Sequence, residues 1–203
     1  MIRLFRIVPF ALIAVIALSS AAACGDDGDD AGPAATAGAP TATSSPAAEG
    51  TPSASGGFAL TSASFGDNET MPVQHTCDGA NTSPPLAISG APDGAASLAL
   101  TTIDIDGPGG AFVHWTVWNI DPATTDVAQD AVPPGGVEGL TGRGTAGYFG
   151  PCPPSGTHRY VFTLHALDMT LELDPVMSGN AELQAAIEGH VLASAVLTGL
   201  YTR

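Results

Sequence analysis

Six stretches of this chain alternate apolar and polar side chains with a period of two, and that pattern restricts its fold more than any other feature. They are FALTSASF (58–65), PLAISG (85–90), SLALTTIDI (97–105), AFVHWTVWNI (111–120), RYVFTLHAL (159–167) and HVLASAVLTGLY (190–201). Successive side chains of a strand point to opposite faces, so each stretch reads as a strand between Gly, Pro, Asn and Asp turns. Only GNAELQAAIEG (179–189) has a helical stripe, with Leu183, Ala186 and Ile187 apolar, Glu182 in the first turn and Asn180 as the expected cap. Many short strands with turn-rich links predict a mainly β fold. The expected architecture is a β-sandwich of antiparallel sheets with small peripheral helices and a C-terminal strand. There is no internal repeat and no heptad pattern.

The alternation stops short of the N-terminus. Residues 1–23 carry Arg3 and Arg6, then an apolar run over 7–18, then small residues ending in AAAC at Cys24. This is the layout of a secretory signal, and three alanines before a cysteine resemble a bacterial lipobox. Cys24 is therefore expected to be the first mature residue and to carry lipid, anchoring the chain to a membrane of the cell envelope on its extracytoplasmic side. Residues 24–57 read as a tether of Ala, Gly, Pro, Ser and Thr, with no aromatic and no Leu, Ile or Val. Such a segment has too little apolar surface to offset its ordering entropy, and as a flexible coil it spans roughly 30 Å. The folded domain is assigned to residues 58–203, long enough to bury a substantial core.

Charge narrows the partners. The chain has a formal net charge of −15 and no lysine, and the domain's arginines are Arg143, Arg159 and Arg203 alone. Phosphate-backbone binding needs a basic surface, which excludes nucleic acid as an expected partner. With Cys24 assigned to the anchor, Cys77 and Cys152 remain in a compartment where disulfides persist. One Cys77–Cys152 bridge is the simplest reading, and two free buried thiols are the alternative.

Strand alternation also places chemistry. Asp104 and Asp106 are expected on one face of their strand, opposite Ile103 and Ile105, while Phe112, His114, Thr116 and Trp118 share a face of the next. On a later strand His158, Tyr160 and Phe162 point together. If these strand ends are neighbours, two carboxylates, two imidazoles and a phenol converge. DIDGPGG opens like a calcium loop, but Pro108 occupies its fifth position and Trp115 stands where the bidentate glutamate belongs. A site from His75, Cys77, Cys152 and His158 follows no standard zinc spacing, so no metal and no cofactor is expected. There is no G-x-S-x-G elbow and no evident nucleophile, so no enzyme is expected. His75, His165 and His190 are read as satisfied or exposed histidines, Trp115 and Trp118 as core, and Asp168 and Asp174 as turn residues.

Five segments in order carry a family resemblance: CDGANTSPPLAISGAP (77–92), DIDGP (104–108), FVHWTVWNI (112–120), GYFGPCPPSGTHRYVFTLHALD (147–168) and GHVLASAVLTGLYTR (189–203). Together they resemble the phosphatidylethanolamine-binding proteins, and within them the bacterial Raf kinase inhibitor-like branch, over nearly the whole domain. The resemblance implies a β-sandwich with a small anion pocket at one end. By position, Asp104 and Asp106 resemble the acidic pair of the family's D-P-D-x-P segment, and His114 its H-W histidine. Gly150, Pro153 and Pro154 resemble its G-x-x-P-P wall, and His158 and Tyr160 its H-R-Y pair. The chain departs from the family in Ile105, where proline is usual, and in EGLTGRGTAGY, which lacks the N-D-F-G of the bacterial branch.

The role implied for Asp104 and Asp106 is to orient His114 and His158, so that the rings and the Tyr160 hydroxyl donate to an anion. The implied function is an envelope-anchored, non-enzymatic protein that binds a small anion or phospholipid head group. The alternative is a protease or kinase inhibitor-like protein acting through its surface, with the pocket regulatory.

Overall fold

The computed structural model describes residues 57–203. The signal, Cys24 and all but the last residue of the tether lie outside the described residues.

Ten elements of regular backbone carry the domain, apart from one 3-10 turn at Val73–His75. In chain order they are β1 (Ala59–Thr61), β2 (Glu69–Thr70), β3 (Leu86–Ser89), β4 (Ser97–Asp104), β5 (Phe112–Ile120), β6 (Asp126–Val127), β7 (Val137–Glu138), β8 (Thr157–Leu167), α1 (Asn180–Ile187) and β9 (Val191–Thr202). A large sheet has the order β2-β9-β8-β4-β5-β7, and a small one the order β1-β3-β6. All pairings are antiparallel except β2 with β9, which run parallel. The fold is the expected β-sandwich, with one short parallel pair where an all-antiparallel arrangement was predicted.

Why the layers stack follows from alternation. Leu98 and Leu100 of β4, Trp115 and Val117 of β5, Phe162 and Leu164 of β8 and Leu197 of β9 are buried in one cluster with Leu60, Leu86, Ile88 and Val127 of the small sheet. Burying each such side chain contributes about 1.5–3 kcal/mol. The opposite face is covered at one end, where Leu183 and Ile187 of α1 pack with Ala99, Trp118, Leu167 and Leu171. Both tryptophans are core, as the sequence suggested. The helix cap differs by one residue: Gly179 is the N-cap, and its N–H donates to the Glu182 carboxylate at 2.8 Å. Asn180 lies inside the helix and accepts from Gln184.

Strands β2, β6 and β7 have two residues each. Two residues carry no period, so alternation could not reveal them.

Cys77 and Cys152 form a disulfide with a sequence separation of 75. A bridge closing so long a loop contributes about 2–4 kcal/mol, chiefly by restricting the unfolded chain. It also ties two loops at one end of the sandwich. Around it, Arg203 pairs with Asp78 at 3.0 Å and donates to Cys152 Sγ, while the Tyr201 hydroxyl donates to Asp78 at 2.9 Å.

Candidate functional site

A cavity of about 450 Å³ opens at that end of the sandwich, lined by Asp104, Pro108, Phe112, His114, Arg143, Phe149, Cys152 and Pro154. Three chain features converge on it: the end of β4, the start of β5, and the loops that bracket the disulfide.

His114 reaches the cavity through a break in register. Thr102 pairs with Trp115 and the next β4 residue, Ile103, pairs with Val113, so His114 is an extra residue in β5. Such a β-bulge re-aims a side chain. It lets Trp115 fill the inter-sheet core while Phe112 and His114 line the cavity beside Asp104. Strict alternation put Trp115 and His114 on opposite faces; the bulge overrides it.

The His114 ring is fixed on several sides. It stacks on Phe149 with centroids 5.3 Å apart and planes 9° apart, and meets the edges of Phe112 and Tyr160. Its Nδ1 is 2.6 Å from the Phe149 carbonyl oxygen, and the Phe149 N–H donates back to the His114 carbonyl at 2.9 Å. A carbonyl only accepts, so Nδ1 carries the hydrogen. Burial pushes the His114 pKa below the usual histidine value, and the Phe149 carbonyl, the Asp104 charge and the Gly150 carbonyl counter it only partly. The ring is therefore held neutral, with a lone pair on Nε2.

The second imidazole is held differently. His158 Nδ1 lies 2.8 Å from Asp104 Oδ2, both groups being buried. Asp104 Oδ1 accepts the Asp106 N–H at 2.9 Å, which shapes the turn leaving β4. The other oxygen is thus committed to the imidazole while the carboxylate itself lines the cavity.

Asp106 departs from the sequence reading. Strand β4 ends at Asp104, so alternation no longer governs residue 106. Its carboxylate turns to Arg159, accepting from Nη2 at 2.6 Å and from Nε and the backbone N–H at 2.9 Å each. The Arg159 side chain and then its backbone N–H hold the Asp106 pKa down to about 2. The task of holding an imidazole therefore falls to Asp104 alone.

Tyr160 pairs with Asp104 across β8 and β4 and is wholly buried. Its hydroxyl makes no hydrogen bond of good geometry but lies near the Asp104 carboxylate and the Cys152 backbone; burial, then the Asp104 charge and that looser Asp104 contact, raise its pKa. Of the wall residues, Pro154 lines the cavity, while Gly150 and Pro153 are buried behind it. The Gly150 N–H donates to Asn81 Oδ1 at 2.8 Å, and a Cβ at this position would stand 2.5 Å from the His75 carbonyl oxygen, so only glycine fits.

Sequence reasoning left Pro108, Phe112, Phe149, Cys152 and Arg143 out of the ligand-binding set, and of these only Arg143 is charged. It sits in the turn 141–144, closed by Gly144 N–H to the Thr141 carbonyl, with its guanidinium 4.6 Å from the Phe149 ring centroid. Gly142 permits this approach, since a Cβ there would stand 2.7 Å from the Phe112 ring. The available signal was an arginine in a G-R-G turn of a domain with no lysine.

The remaining histidines are satisfied. His75 is buried between the Thr82 carbonyl and Ser64, His165 meets Ser194, and exposed His190 pairs with Asp168. The bridged Cys77 and Cys152 offer no thiolate. Among the described residues, no three His, Cys, Asp or Glu side chains are grouped to hold a metal ion.

The depressed His114 pKa has a consequence for stability. The unfolded chain takes up this proton near the ordinary histidine pKa of about 6.5, before the folded chain does, so stability falls as pH drops below that value. His75 and His165, also depressed by burial, act in the same direction. Asp106 acts only below about 3.8, the ordinary range for its carboxyl. Chemical denaturation between about pH 7 and 5 should therefore show declining stability, with a shallower slope in His114→Gln. An unchanged slope would mean that the folded ring is not held neutral.

Comparison with known proteins places this geometry. The family model described as phosphatidylethanolamine-binding protein matches residues 61–202. A UPF0098 protein of Methanothermobacter thermautotrophicus is 47% identical over 144 residues, covering 68% of this chain and 95% of its own. A Mycobacterium tuberculosis protein carried under a lipoprotein name, LppC, is 45% identical over 128 residues, covering 62% of this chain and 63% of its own. Among solved structures, the phosphatidylethanolamine-binding protein homolog CT736 of Chlamydia trachomatis superposes with a TM-score of 0.70 at 36% identity, over 73% of this chain and 99% of that one. YbcL of E. coli gives 0.68 at 34% identity, over 72% and 98%. On the family match and on the Methanothermobacter relative, 47% identical over 95% of its length, the chain belongs to the phosphatidylethanolamine-binding protein family.

Proposed function

We propose that the domain is a non-enzymatic binding module whose cavity takes a small anion or a phosphoryl head group. The observation that carries this reading is Arg143 in the lining of a cavity beside the oriented His114 imidazole, in a domain with no lysine and two other arginines. Those two are occupied elsewhere, Arg159 by Asp106 and Arg203 by Asp78. A guanidinium supplies several donors in a fixed plane suited to phosphoryl oxygens. The apolar lining from Phe112, Phe149, Pro108 and Pro154 lowers the local dielectric and strengthens each polar contact.

Titration calorimetry with inorganic phosphate tests the reading. Wild type should bind, and Arg143→Ala should bind about tenfold more weakly, the loss of one partly solvated charge-assisted contact. An undetectable wild-type signal, or an Arg143→Ala isotherm matching wild type, counts against it.

The proposal includes envelope attachment through a lipid on Cys24, supported by the AAAC motif and by the lipoprotein name of the LppC relative. No helix among the described residues is long and apolar enough to cross a membrane. Cys24→Ser should shift the protein from the membrane fraction to the soluble fraction. A variant that still sediments with membranes would exclude the lipid as its anchor.

A further inference from the structure

We infer that the domain carries a second site, a small pocket behind one wall of the first cavity, which takes a primary ammonium ion. This pocket measures about 220 Å³, and its lining includes Ser83, Asp130 and Glu138 together with Asn81, Trp115 and Tyr148. Consecutive residues divide between the two spaces: His114 and Phe149 line the first, Trp115 and Tyr148 the second. The Trp115 and Tyr148 rings meet edge to face with centroids 5.5 Å apart. Asn81 Oδ1 accepts the Gly150 N–H at 2.8 Å, which fastens the loop that separates the two spaces.

Two carboxylates set the charge of this pocket. Trp115 Nε1–H donates to one Glu138 oxygen at 2.8 Å, which fixes the carboxylate and leaves its second oxygen open. The Asp130 N–H donates to the Ser83 carbonyl at 3.1 Å, which sets Asp130 beside Ser83. Among the described residues, neither Asp130 nor Glu138 has a cationic partner, and no Lys, Arg or His lines the pocket. Ser83 is an independent sign of a ligand. It is 3% exposed, and its hydroxyl makes no hydrogen bond among the described residues. The partnerless hydroxyls sealed from solvent there are those of Thr102, Thr116, Thr124 and Tyr160. Ser83 is not one of them, so its oxygen opens to the pocket it lines.

Two uncompensated like charges and a buried hydroxyl without a partner are each unfavourable until a ligand meets them. A primary ammonium has three N–H donors and no acceptor. That number matches the Asp130 carboxylate, the open Glu138 oxygen and the Ser83 hydroxyl. The Trp115 and Tyr148 rings keep water from one side, which strengthens those bonds. The volume lies below the roughly 300–1,000 Å³ of drug-sized sites, and so fits a short alkylammonium. A divalent metal ion is served less well, since no three His, Cys, Asp or Glu side chains of the described residues group around it.

The Trp115 indole N–H reports on the site, because it is bonded to Glu138. The chain has two tryptophans, so its proton–nitrogen NMR spectrum holds two indole signals, and Glu138→Gln assigns that of Trp115. Titrating the full protein with propylammonium chloride at constant ionic strength should move this signal to saturation and leave that of Trp118 in place. Tetramethylammonium has the same charge but no N–H, and should bind about tenfold more weakly or not at all. Asp130→Asn should weaken propylammonium binding about tenfold, and Ser83→Ala about threefold. Should Ser83→Ala fail to fold, Asp130→Asn and the pair of cations decide. A Trp115 signal that stays in place, or that answers both cations equally, would overturn the inference. A response to calcium chloride with none to propylammonium would overturn it too, and would make the pocket a metal site.

Discussion

The site depends on one reciprocal contact, in which His114 gives its ring hydrogen to the Phe149 carbonyl and its own carbonyl takes the Phe149 N–H. The loop before Phe149 is fastened along the same strand edge, through Gly139 N–H to Thr116 and Gly142 N–H to Val113. These bonds satisfy the backbone of β5 where its partner strand β7 has ended. They also bring Arg143, Phe149 and the disulfide loop around the imidazole. The bond that shapes the wall thus also decides the tautomer.

A buried carboxylate beside a cavity proposed to take an anion looks like a contradiction, and its surroundings resolve it. Asp104 is paired with His158 and caps the Asp106 amide, so its charge is compensated within the protein. Asp106 is removed from the question by Arg159. Among the described residues, Arg143 is then the one guanidinium without a carboxylate partner, the feature on which the proposed anion binding rests. The disulfide, with the Asp78–Arg203 pair and the Tyr201 hydroxyl beside it, holds the opposite wall against the sheet end.

Much of this was legible in the sequence. Long alternating strands such as 159–167 and 190–201 appeared within two residues of their observed bounds, because both faces of each carry a consistent pattern. The pairing of Cys77 with Cys152 followed from counting thiols. Asp104, His114, His158 and Tyr160 do meet at one end of the sandwich, although the reason is not pure alternation. The bulge at His114 has no signature in FVHWTVW, since an extra residue shows itself only against its partner strand. Asp106 was misplaced because the end of β4 cannot be read from DID, where period two still appears to continue. Arg143 was passed over because its neighbours in sequence, Gly142 and Gly144, say nothing of Phe149 until the loop closes.

The central claim is that, before any ligand arrives, burial holds the His114 ring neutral and the Phe149 carbonyl fixes its hydrogen on Nδ1. Nitrogen-15 NMR of histidine-labelled protein at neutral pH tests it most directly, with His114→Gln assigning the signal. The account predicts a protonated Nδ1, a lone-pair Nε2, and a titration midpoint below the ordinary value of about 6.5. A ring that is doubly protonated at neutral pH, or one whose hydrogen resides on Nε2, would contradict it.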